Sequence, residues 1–269
     1  MRQTRPFETR DGTVLNVDSA GDGTPVVFQH GLCGDAGQAG EVFPVEPGFC
    51  RITVEARGHG RSQAGKPAKL SIATFADDIA SYIESALTAP VAIGGISMGA
   101  TIALRLAVKR PDLVKALILA RPAWLTRSSP ANMAPNAEVG HLLKTWAPEE
   151  AKRIFLSSST GQHLAAEAPD NLSSLAGFFD RIPHDVTAEL LVAISNDGPG
   201  VTDEEVSRIS VPTLVIGHGK DSVHPIAHAR TLAGMIPAAR FVQITPKVES
   251  RAQYVADFRH AMSTFLKEF

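Results

Sequence analysis

Residues 90–108 read PVAIGGISMGATIALRLAV, and the parsing of this stretch decides the fold. Its apolar content invites a membrane span, but Gly94, Gly95, Ser97 and Gly99 interrupt it and Arg105 adds a charge. Parsed instead as an apolar strand (90–95), a glycine-flanked turn and an alanine-rich helix (100–110) ended by Pro111, it becomes one strand–turn–helix unit.

The same alternation continues on both sides. PVVFQH (25–30), RITVEA (51–56), KALILA (115–120), PTLVIG (212–217) and RFVQIT (240–245) are Val-, Ile- and Leu-rich runs suited to strands covered on both faces, and 73–87 has a helical pattern. Strands alternating with helices predict an α/β fold with a mostly parallel sheet. The turn dipeptides Asp11-Gly12 and Asp22-Gly23 predict a hairpin before it. From Arg121 to Ser207 the alternation lapses into helical and loop-rich sequence. This segment, 121–207, is read as a helical cap inserted into a core formed by 1–120 and 208–269.

Bulk properties bound the function. A chain of 269 residues with 44% hydrophobic content can bury one large core. Its 26 basic and 28 acidic side chains leave a net charge of −2, so no basic field offers itself to nucleic acid. Cys33 and Cys50 form no disulfide framework, and MRQTRPFETRDG has no apolar leader, so a cytoplasmic location without membrane attachment is expected. The absence of a phosphate loop, a dinucleotide fingerprint and metal-ligand spacing predicts neither cofactor nor metal. A homodimer is compatible with the sequence.

Gly95-Ile96-Ser97-Met98-Gly99 sits between strand and helix. A serine on such a strained turn presents its hydroxyl as a nucleophile, and the helix N-terminus favours developing negative charge. In FQHGLCGD, the turn after His30-Gly31 can bring the Leu32 N–H beside the Met98 N–H as an oxyanion hole. His30 and His59, the latter in EARGHGRS, are read as histidines that order their loops.

Taken together, QHGL, ARGHGRS, GGISMGA and VPTLVIGHGKD, in this order, resemble the α/β-hydrolase superfamily, in its branch of esterases, enol-lactone hydrolases and cofactor-free haloperoxidase-like proteins. The resemblance implies an eight-stranded, mostly parallel sheet, Ser97 as nucleophile, Asp221 as the acid, and a histidine after the last strand. No histidine stands there: the sequence reads Pro246-Lys247-Val248-Glu249-Ser250-Arg251. Lys247 and Arg251 would keep Glu249 ionised and poor as a base. Helical phase turns His260 away from the buried stripe of Val255, Phe258, Met262, Phe265 and Phe269, and sets His228 outward relative to Ile226. His224, three residues beyond Asp221 and just before a helix opened by Pro225, is the candidate for a relocated base.

These residues predict a serine hydrolase acting on a small ester or lactone, with Trp124, Met133, Phe178 and Phe179 of the cap shaping a mainly apolar pocket. A non-catalytic ligand-binding protein and a lyase-type acid–base enzyme remain open alternatives, because function resides in the site and not in the fold.

Overall fold

In a computed structural model, which describes residues 2–268, the alternation resolves into one sheet of eight strands. At the N-terminus, β1 (Arg2–Glu8) and β2 (Val14–Gly21) are antiparallel; β3 (Gly23–Gln29), β4 (Gly48–Val54), β5 (Val91–Ile96), β6 (Val114–Ala120), β7 (Thr213–Gly217) and β8 (Ala239–Gln243) are parallel to one another. The spatial order is β1-β2-β4-β3-β5-β6-β7-β8. The turn at Asp11-Gly12 closes the β1–β2 hairpin. Asp22-Gly23 closes none, because β2 pairs with β4 and β3 lies beyond it. The chain swings between the two strands there with Gly21 at φ 95° and Gly23 at φ 119°, and a Cβ on Gly23 would meet the Gly48 carbonyl oxygen at 2.3 Å.

The helices of the first half are α1 (Ala36–Val42), α2 (Ile72–Ala86) and α3 (Met98–Lys109). Between β6 and β7 come α4 (Ala134–Thr145), α5 (Pro148–Ser157), α6 (Ser159–Glu167), α7 (Pro169–Gly177), α8 (His184–Ser195) and α9 (Asp203–Ser207), and after β7 come α10 (Ile226–Met235) and α11 (Arg251–Leu266). Helix α1 was not foreseen. Its sequence, AGQAGEV, is short and glycine-containing, and its start depends on Asp35, whose carboxylate accepts from the Gly37 and Gln38 N–H groups.

Residues alternate between the two faces of the sheet. Val26, Phe28, Ile118, Leu214 and Ile216 pack with α1 and α11, while Val27, Ile93, Leu117, Leu119 and Val215 pack with α2, α3 and α10. Each such fully buried side chain contributes roughly 1.5–3 kcal/mol. In α11, His260 is exposed and Phe258, Met262 and Phe265 are buried, the phase read from the sequence; Phe269 lies outside the described residues. Among the described residues no helix is long and apolar enough to cross a membrane.

One ion cluster, buried at Arg57 and Asp78 and exposed at Asp11, ties the loop after β4 to the helical layer. Arg57, with its side chain 3% exposed, donates through Nε and NH2 to Asp78 of α2 at 2.7 and 2.9 Å, and to Asp11 of the β1–β2 turn at 2.8 and 3.1 Å. Removing one partner strands the other as a buried charge. Arg57→Met is expected to lower the unfolding free energy by about 3–5 kcal/mol in urea titration; a loss below about 1 kcal/mol, the value of a surface pair, would contradict this role.

Candidate active site

Ser97 connects β5 to α3 with φ 56° and ψ −114°, a backbone conformation that costs a non-glycine residue on the order of 1–3 kcal/mol. Packing enforces it. A Cβ on Gly95 would lie 2.5 Å from the Gly99 carbonyl carbon and 2.8 Å from the Gln29 carbonyl oxygen, and one on Gly99 would lie 2.6 Å from the same oxygen. The turn is thus pressed against the end of β3, and only glycines fit on either side of the serine. The Ser97 N–H donates to the Ala120 carbonyl at 3.0 Å, and the Ser97 carbonyl accepts from Thr101 N–H at 3.1 Å. Its hydroxyl has no hydrogen-bond partner among the described residues.

Leu32 follows the end of β3 in a turn closed by Gly34 N–H to Gly31 carbonyl at 3.0 Å, and the Gly31 N–H donates to Gln38 Oε1 at 2.6 Å. Met98 is the first residue of α3, where a helical N–H has no intrahelical acceptor. Among the described residues neither the Leu32 nor the Met98 N–H has a protein acceptor.

On the far side of β6, the loop from β7 to α10 carries Asp221, whose side chain is 2% exposed. Its Oδ2 accepts from Arg121 Nε and NH2 at 3.1 and 2.6 Å; its Oδ1 accepts from Asn171 Nδ2 and from the His224 backbone N–H, each at 2.9 Å. His224 Nδ1 lies 3.0 Å from both oxygens. Burial alone would raise the Asp221 pKa, but His224 and Arg121 hold it well below the usual carboxylate range. Arg121 NH2, a donor, also lies 3.1 Å from Nδ1, but both oxygens of the ionised carboxylate face that nitrogen at 3.0 Å and favour the tautomer with hydrogen on Nδ1 and a lone pair on Nε2. Nε2 has no partner among the described residues.

Ser97 and His224 line one cavity of about 90 Å³, together with Leu32, Arg121, Asn136 and Phe178. That is room for roughly three waters. Met133 also lines it. Trp124 and Phe179 do not: the Trp124 indole N–H donates inward to the Asp197 carbonyl at 2.9 Å, and Phe179 packs on Phe155 with ring centres 5.8 Å apart. The larger share of the lining is apolar, from residues such as Leu32, Met133, Leu175 and Phe178, with the polar groups of Ser97, Arg121, Asn136, Asn171 and His224 set among them.

The remaining candidates fall elsewhere. Glu249 is half exposed and paired with Lys220 at 2.8 Å. His228 is not turned to solvent; it is half buried, with Nδ1 3.1 Å from the Ala123 carbonyl. His30 holds two loops, with Nδ1 at 2.8 Å from the Gly31 carbonyl and Nε2 accepting from the Ala56 N–H at 3.1 Å, and His59 Nδ1 lies 2.9 Å from the Arg57 carbonyl.

Three residues given no role in the sequence reading complete the site. Arg121, at φ 45° beyond β6, is pinned by its N–H to the Ile216 carbonyl at 2.7 Å and reaches Tyr254 Oη at 3.2 Å as well as Asp221. Asn171 of α7 donates to Asp221 and accepts from the Ser222 and Val223 N–H groups at 2.7 and 3.2 Å. Asn136 of α4 lines the cavity with Ser97. The partners of the first two are 100 and 50 residues away, so no local signal in the sequence marks them.

The family model described as serine aminopeptidase, S33 matches residues 24–264. The chain is 28% identical over 230 residues, 82% of its length and 83% of the relative's, to RutD of Klebsiella pneumoniae strain 342, itself only provisionally named a carbamate hydrolase. It is 30% identical over 241 residues, 86% of each chain, to the non-heme chloroperoxidase CPO-A1 of Kitasatospora aureofaciens. Among solved structures, the esterase EaEST of Exiguobacterium antarcticum superposes with a TM-score of 0.74 at 22% identity, over 97% of this chain and 100% of that one.

Five histidines near the site edges, His30, His59, His218, His224 and His228, are held below the ordinary histidine value, in each case chiefly by burial. The unfolded chain therefore takes up protons at these positions near about pH 6.5, and the folded chain only at lower pH. Their contribution to stability is complete above about pH 6.5 and is lost as pH falls through the folded values. The Tm is expected to be level from about pH 7 to 8 and to fall from about pH 6.5 to 5; a Tm unchanged across the lower window would contradict the buried, neutral state of these rings.

Proposed function

The chain belongs to the α/β-hydrolase family described as serine aminopeptidase, S33, and is a hydrolase on that ground; from this premise we propose that it cleaves a small, neutral carboxylic ester or lactone through an acyl-enzyme on Ser97. The observation that carries this reading is that the unbonded Ser97 hydroxyl shares a cavity with His224, whose Nδ1 is held by the buried carboxylate of Asp221.

In this mechanism His224 Nε2 takes the Ser97 proton as Oγ attacks the carbonyl carbon, and the imidazolium then protonates the leaving alkoxide. Serine and histidine are not hydrogen-bonded, so the transfer runs through one water or after a small closure on substrate. The Leu32 and Met98 N–H groups receive the oxyanion, each donor lowering the barrier by about 2.7–4 kcal/mol. A water activated by the same imidazole releases the acid and restores Ser97. Asp221 orients the ring and stabilises its charged form; Arg121 keeps Asp221 ionised in its buried place.

The charge inventory supports an ester over an N-terminal peptide. An aminopeptidase must hold the substrate's ammonium, which requires a free carboxylate in the site. None lines the cavity, and Asp221, behind His224, is matched by Arg121. A relocated base also weakens the reading of a binding protein that has lost its chemistry.

His224→Ala is expected to lower kcat toward a small activated ester by at least about 10²-fold, the low end for a general base. His260→Ala should leave it unchanged. Because burial and Arg121 lower the His224 pKa despite Asp221, and the neutral ring is the active form, the pH–rate profile should rise through one ionisation below about 6.5, keeping activity in mildly acidic buffer. Wild-type rates in His224→Ala would overturn the assignment of the base.

A further inference from the structure

Asn136 is 4% exposed, sits in the first turn of α4 and faces the Ser97 cavity, yet its carboxamide Oδ1 has no hydrogen-bond partner. Among the described residues its Nδ2 has none either. Buried amide groups are almost always satisfied, and leaving one bare costs free energy that a fold does not ordinarily bear without use. The other carboxamides lining the cavity are employed: Asn171 bonds Asp221 and the acid loop, and Gln38 Oε1 accepts from Gly31. Asn136 alone of these lines the cavity with its carboxamide unsatisfied.

We infer that Asn136 is a specificity-determining residue whose carboxamide hydrogen-bonds a neutral hydroxyl or amide carried by the substrate close to its scissile carbonyl. The inference deepens the acyl-hydrolase reading and rests on it. Neutrality follows from charge: the charged side chain lining the cavity, Arg121, is already paired with Asp221, so an ammonium or carboxylate on the substrate would be buried without a partner. The cavity of about 90 Å³ accommodates a short acyl or alcohol portion beside Ser97. The substrate class is thus a short ester or lactone bearing a hydroxyl or amide, and a purely aliphatic ester of the same shape leaves Asn136 unsatisfied. A site built to bond a substrate hydroxyl rejects the isostere lacking it more strongly than an apolar pocket rejects a change in size.

The test compares isosteric pairs in which a hydroxyl replaces a methyl: methyl lactate against methyl isobutyrate on the acyl side, and hydroxyethyl acetate against propyl acetate on the alcohol side. For wild type, kcat/KM is expected to favour the hydroxyl member of at least one pair by roughly 10- to 100-fold, the cost of a buried polar group left bare. In Asn136→Leu that preference should vanish while the aliphatic member is hydrolysed at least as well as by wild type. The Tm of the unliganded variant should stay level or rise, because an unsatisfied carboxamide has been replaced by an apolar side chain. Preferences equal in wild type and Asn136→Leu for both pairs would overturn the inference. A separate arm measures binding of the same compounds to Ser97→Ala by ligand-induced Tm shift, with and without Asn136→Leu. If turnover survives in Ser97→Ala, the acyl-enzyme reading fails, and this arm still decides the subsite: a hydroxyl preference abolished by Asn136→Leu supports it, and indifference to Asn136→Leu refutes it.

Discussion

The buried carboxylate of Asp221 is the constraint around which this molecule is arranged. A charge with a side chain 2% exposed forfeits several kcal/mol of hydration unless donors replace the lost water. Here they come from three places in the chain: Arg121 at the end of β6, Asn171 on α7 and His224 in the same loop. The requirement therefore joins the sheet, the helical segment between β6 and β7, and the loop that carries the imidazole. Loss of any one donor loosens the other two, so the orientation of His224 depends on packing far from it in sequence.

The second constraint is steric and acts one strand away. Gly95 and Gly99 let the β5–α3 turn press against the Gln29 carbonyl at the end of β3, and this contact holds Ser97 in a conformation it would not adopt alone. Leu32 lines the same cavity as Ser97, and Met98, next to the serine, opens α3. β6 lies between the serine strand and the acid strand, and the loop after β7 spans that gap to set His224 in the cavity beside Ser97. An enzyme that lacks a histidine after its last strand can thus still present an imidazole on a carboxylate there.

Much of this was legible in the sequence because it is local. The strand–turn–helix at 90–110, the strand periodicities and the solvent-facing phase of His260 depend on neighbours within a few residues. Asp221 stands where the family resemblance expects an acid, and His224, three residues on and just before a helix-opening Pro225, is marked by local sequence. What escaped the reading is non-local or lacks phase. Arg121 and Asn171 acquire meaning only by meeting Asp221. Aromatic residues in the helical segment point either to the cavity or into their own layer, and sequence alone does not say which: Phe178 lines the cavity, while Phe179 and Trp124 are packing residues. Asp22-Gly23 has hairpin chemistry, yet β4 inserts beside β2, because the sheet's parallel topology overrides the local turn.

The measurement that bears most directly on the proposed chemistry is covalent labelling of the intact protein by a fluorophosphonate, followed by mass. Wild type should gain a single adduct located on Ser97, absent in Ser97→Ala and formed at least about 10²-fold more slowly in His224→Ala, since the probe reacts with a serine whose proton a base removes. Wild-type protein that stays unlabelled under conditions that modify an ordinary serine esterase, or labels equally fast without His224, would contradict the account.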